Sequence, residues 1–155
     1  VAGALGESGG TNTLYALRLA LVGDPQKGIK KDENPLVRRG VVGDLRKIGD
    51  LGAIFVLRFA LVGDPRREIK KDEDLEVRRR VVSAVGEIDS AIAIYVLCLA
   101  LVGDPQEGIK KDEDLEVRRR VAGALGEIGG ANAIYALSLA LVGDPQEGIK
   151  KDEDL

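Results

Sequence analysis

The chain repeats itself every 40 residues, and that period decides what it can fold into. The motif Val-Gly-Asp-Pro places its aspartate at positions 24, 64, 104 and 144. The run Lys-Lys-Asp-Glu begins at Lys30, Lys70, Lys110 and Lys150, in the same register. A period of this length belongs to helical-pair arrays, in which one unit cannot bury its apolar face alone and must stack on its neighbours. Four units are expected, at about 1–40, 41–80, 81–120 and 121–155.

Each unit holds two helices. In the stretch 72–90, Leu75, Val81, Val82, Val85 and Ile88 recur at spacings of three, four and seven, which is one apolar face of a helix over about 75–88. Asp74 stands just before it as an N-cap, Asp114 does the same one unit later, and Asn34-Pro35 opens the first unit's version. We term this helix B. Helix A follows over about 91–102, apolar nearly all round, and stops at Gly103-Asp104-Pro105. The short polar joint between them makes the two antiparallel neighbours.

The string Asp72-Glu73-Asp74-Leu75-Glu76-Val77-Arg78, continued by Ala84-Val85-Gly86-Glu87-Ile88, resembles the HEAT-like repeat of the phycobilin-lyase type. The likeness recurs at 112–128 and 32–48. It implies an all-α fold, an α-α superhelix or HEAT-like α-solenoid of about four helical hairpins. Members of that family serve as lyase subunits, scaffolds and binders, so the likeness specifies fold better than function. The unit here is about nine residues longer than is usual in the family, the surplus lying around 103–111. The second unit also departs from the pattern, with Asp44 and Arg46 where Ala84 and Gly86 stand.

The composition narrows the function classes. Charged residues make up 32% of the 155, yet the net charge is only -3, which argues against a nucleic-acid binder. Histidine is absent, and with it the commonest general base and metal ligand. We therefore expect no enzyme, no cofactor and no metal. No apolar run approaches the roughly 20 residues of a membrane span, and no signal segment opens the sequence. With the single cysteine Cys98, this points to the cytoplasm.

The resemblance implies that helix B lines a concave surface and that the two positions after its Val-Arg pair face the groove. Those are Arg39, Arg79, Arg80, Arg119 and Arg120, with Gly40 the exception. One and two turns on come Gly43, Ser83 and Gly123, then Lys47, Glu87 and Glu127. Arginine's rigid fork suits carboxylates and phosphates. The competing reading pairs Arg80 with Glu76 and Arg120 with Glu116 on a solvated helix face. By the same resemblance Arg38, Arg78 and Arg118 are structural, each bridging to an aspartate in the loop of an adjoining unit.

The surplus segment should fold back so that Ile109, with Ile29, Ile69 and Ile149, covers helix A near Leu99 and Val102. The lysine pairs from Lys30/Lys31 to Lys150/Lys151 then form either a basic rim or a solvated edge. Tyr15, Phe55, Tyr95 and Tyr135 share one helix A position and are expected to pack between units. Cys98, at a position that also holds Arg18, Arg58 and Ser138, is expected to be a free surface thiol. The Gly-Asp-Pro and Lys-Lys-Asp-Glu runs fit neither a phosphate loop nor a calcium loop.

These readings converge on a scaffold that holds another protein on its helix B face. The alternatives are a chromophore-lyase-like subunit that binds a tetrapyrrole or phycobiliprotein, and the sensor region of a larger regulatory protein. The sequence begins and stops inside a unit, so it reads as an excerpt of a longer array, with end-to-end self-association expected.

Overall fold

The computed structural model describes residues 10–155. The start of the first unit, expected to be the tail of a B-type helix, lies outside them. Among the described residues there are seven α-helices and no strand longer than a single bridge. They are α1 (Thr11–Val22), α2 (Pro35–Ile48), α3 (Leu51–Val62), α4 (Leu75–Gly86), α5 (Ala91–Val102), α6 (Leu115–Ile128) and α7 (Gly130–Val142). The A-type helices α1, α3, α5 and α7 stack in one layer and the B-type helices α2, α4 and α6 in another. The architecture is the helical solenoid expected from the period.

Leucines and valines of both layers meet in the core. Leu57, Leu61, Val81, Val85 and Leu97 are all sealed from solvent. The second layer packs its helices more closely than the first. Small side chains allow this: a β-carbon at Gly86 would stand 3.3 Å from that of Ala124 on the next B helix. Asp44, which replaces an alanine in this layer, is buried, with Lys47 Nζ 4.0 Å from its carboxylate.

Helix starts follow the caps. The Asp74 and Asp114 carboxylates accept from the backbone N–H of Val77 and Val117 at 2.8 and 2.9 Å, and Asn34 accepts from Leu36. One helix end departs from expectation: α4 stops at Gly86, two residues short of the predicted Ile88. Its siblings α2 and α6 run to Ile48 and Ile128 and end on Gly49 and Gly129, with φ of 60° and 65°. The equivalent position is Asp89, which does not take that left-handed conformation, so the last turn unwinds.

The surplus segment is an ordered loop. Asp104 N–H donates to the Ile109 carbonyl at 2.7 Å and Ile109 N–H to the Asp104 carbonyl at 2.9 Å. Asp112 N–H then reaches back to the Ala100 carbonyl at 2.8 Å, drawing the loop onto the end of α5. Leu99 and Ile109 are buried as a result. The loop approaches so closely that a β-carbon at Gly103, whose φ is +77°, would stand 2.6 Å from the Ile109 carbonyl oxygen. Within the loop one position is left-handed in all four units. Gly28, Gly108 and Gly148 occupy it, but in the second unit it is Glu68, at φ 59°.

Two substitutions should therefore move stability in opposite directions. Gly103→Ala meets both a backbone clash and a conformation nearly restricted to glycine, and should cost about 3 kcal/mol or more. Glu68→Gly relieves a left-handed non-glycine residue and should gain about 0.5–1 kcal/mol. Urea denaturation followed by circular dichroism reads both.

Candidate functional site

The B layer presents its outward face as two shallow clefts, one at each joint between neighbouring B helices. The first, of about 220 Å³, is lined by Arg39, Gly43 and Arg46 of α2 and Arg80, Ser83 and Ala84 of α4. The second, of about 330 Å³, brings Ser83, Gly86 and Glu87 against Arg120, Gly123 and Glu127. Helical spacing puts these residues on one side of each helix, and stacking aligns them from unit to unit.

The arginines on this face differ in how they are held. Arg39 is already engaged: its guanidinium grips Asp74 of the next unit at 3.0–3.2 Å. That contact holds the Asp74 carboxyl below the usual carboxylate range, against a smaller upward push from burial. Arg80 and Arg120 reach only their own helix, to Glu76 at 3.3 Å and Glu116 at 3.6 Å. Arg79 lies 4.0 Å from Glu76, and its Nε is closed off from solvent without a hydrogen-bond partner. Arg119 is exposed and has no ion-pair partner among the described residues. Ser83 Oγ turns onto its own helix, donating to the Arg79 carbonyl at 3.3 Å. Lys47 and Glu127 are exposed, while Glu87 lies 3.5 Å from Arg46 of the preceding unit.

Arg38, Arg78 and Arg118 point elsewhere. Each is buried and reaches into the loop of the following unit. Arg78 Nε and Nη2 donate to the two carboxylate oxygens of Asp112 at 2.9 and 3.1 Å, and Nη1 donates to the Asp72 carbonyl of its own unit at 2.8 Å. Arg38 does the same with Asp72 at 2.8 and 3.0 Å, and Arg118 with Asp152 at 2.5 and 3.4 Å. The expected loop aspartates are thus Asp72, Asp112 and Asp152, which the resemblance alone does not single out. The signal was an aspartate repeated in every unit, 34 residues after each arginine.

With family and geometry together, residues 68–152, more than half of the chain, match the model for HEAT repeats. The chain belongs to the HEAT-repeat family. Such repeats commonly mediate protein–protein contacts and are typically non-catalytic. Comparison with curated proteins gives no match.

Two expectations need correction in this HEAT array. The aromatic column does not pack between units. Tyr15, Phe55, Tyr95 and Tyr135 are 40%, 43%, 49% and 61% exposed, on the outer side of the A layer, with Lys27 over the Tyr15 ring. Alanine and valine are among the residues buried on these helices instead, Ala53, Val56, Ala93 and Val96 included. Nor is Cys98 a surface thiol: it is half-buried against the core. Burial, with a smaller contribution from the Asp104 charge, pushes the thiol up, which makes it a poorer nucleophile. Among the described residues no cluster of three or more His, Cys, Asp or Glu could hold a metal ion, and no helix is long and apolar enough to cross a membrane.

The buried pairs generate two predictions. Arg78→Met leaves Asp112 charged and uncompensated in the interior, and should cost about 3–5 kcal/mol by chemical denaturation. The second concerns acid. Asp152 is pushed up by burial but pulled down further by Arg118, so it lies below the ordinary range; Lys71 lowers Glu113 and Arg39 lowers Asp74. A carboxylate lowered in the folded state adds stability above its unfolded value of about 3.9–4.3 and loses it as pH falls through the folded one. Without histidine, melting temperature should stay level between about pH 6 and 8 and decline below about pH 4.5.

Proposed function

We propose that this HEAT array is a protein-interaction scaffold that holds an acidic or mixed-charge segment of another protein on the face formed by α2, α4 and α6. The observation that carries this reading is the state of Arg79, Arg80, Arg119 and Arg120. They stand together on one face, exposed or half-exposed, and none is committed to another unit, unlike the buried Arg38, Arg78 and Arg118. Exposed pairs within one helix are worth only about 0.3–0.5 kcal/mol, so a ligand carboxylate displaces them at little cost.

The floor between these arginines and the Glu87–Glu127 row is small: Gly43, Ser83 and Gly123 leave room for an approaching backbone. Closer packing in the B layer supports the reading that the stack curves towards that side. On this face the tetrapyrrole alternative fits less well. Clefts of about 220 and 330 Å³ lie at or below the low end of the roughly 300–1,000 Å³ typical of small-molecule sites, whereas an extended protein surface needs no enclosure.

The test is affinity capture with the intact chain beside a variant carrying Arg79→Glu, Arg80→Glu, Arg119→Glu and Arg120→Glu. The variant should keep its helical circular dichroism and lose the retained protein partners. Equal retention by both would refute the assignment of this face.

A further inference from the structure

The ordered loops of the surplus segment build a second surface. They stack on one another along the edge of the array. Gln26 Nε2 donates to the Arg66 carbonyl at 3.4 Å, Arg66 lies 2.9 Å from Glu107, and Gln106 Nε2 donates to Glu147 at 2.8 Å. Open clefts lie beside the loops of the first, second and fourth units, between the loop and the Lys-Lys-Asp-Glu runs. They measure about 680, 770 and 860 Å³, each larger than either cleft on the B face.

All three have the same construction. The floor is apolar, as with Val62, Pro65 and Ile69 in the middle cleft, and the rim carries lysines. The second lysine of each run is spent within the fold: Lys31 pairs with Glu73 and Lys71 with Glu113, and Lys111 lies 3.4 Å from Asp152. The first lysine is not. Lys30, Lys70, Lys110 and Lys150 are exposed and have no ion-pair partner among the described residues. Cationic against acidic side chains number four to three, five to four and three to two in the three clefts, so each keeps one positive charge in surplus. The Ile-Lys-Lys-Asp-Glu string is identical in all four units, although the loop residues before it vary.

We infer that this edge is a docking groove for an extended acidic peptide, which seats an apolar side chain in each cleft and a carboxylate on each unpaired lysine. Charge complementarity selects the acidic chemistry. Spacing selects the conformation: packed helices stand about 8–10 Å apart, and one three-residue turn of a polyproline II chain spans about 9 Å with every third side chain in line. A carboxylate at every third residue therefore meets one lysine per unit, in a polyproline II chain laid along the stack. This groove is separate from the arginine face and does not depend on it.

Fluorescence anisotropy with a labelled Glu-Val-Pro peptide of four repeats tests this, because proline holds that probe in the polyproline II form. Saturable binding is expected, weakened about tenfold or more by Lys70→Glu with Lys110→Glu. Both side chains are exposed and unpaired, so the variant should keep the wild-type circular dichroism. Arg80→Glu with Arg120→Glu should leave this affinity unchanged, which separates the two surfaces. A peptide of the same composition with its four glutamates at one end should bind more weakly. No saturable binding, unchanged affinity in the lysine variant, or tighter binding of an oligothymidylate of equal charge would each overturn the inference.

Discussion

The array is held in register by one buried ion pair per joint. Burying a guanidinium and a carboxylate is costly unless the geometry is good and the remaining donors are satisfied. Here Arg78 meets both oxygens of Asp112 and also the Asp72 carbonyl. The aspartate has a second task, since its Oδ1 accepts from the N–H of Asp114, which caps the start of α6. One arginine thus fixes the loop, the cap and the first turn of the following unit. Apolar contact alone would press the units together and leave them free to slide. The pair allows one register only.

The loops attached to this framework change what it can present. A helical pair on its own offers an inner and an outer wall. The added segment supplies a third surface, tied down by the Asp104–Ile109 bridge and by contacts between successive loops. The B-layer face is rich in arginine over small residues, and the loop edge is rich in lysine over apolar ones. Two surfaces of different chemistry therefore run parallel along the stack, neither in the way of the other.

Much of the architecture was legible in the sequence, and the reasons for the rest are physical. The ends of α5 were readable because Gly103 can hold a conformation that other residues avoid. The B helices announced their buried face through clear periodicity. The A helices did not. A segment apolar on every side, such as 91–102, has no preferred face to read, so its pattern gives neither the outward position of the aromatic column nor the half-burial of Cys98. The early end of α4 turned on Asp89 standing where its siblings have glycine. The fate of each groove arginine was out of reach, because Arg39 and Arg79 occupy equivalent positions and only one of them closes on an aspartate.

The buried pairs all point one way, from the arginine of one unit to the aspartate of the next. A tandem duplication of 40 residues inserts an arginine and an aspartate together, so every old stitch is remade and one new stitch appears. Gain or loss of any other length strands a charge in the interior. Such a molecule can lengthen or shorten over generations by whole units while it resists change in smaller steps. The same stitch that fixes its shape sets the quantum in which its length can evolve.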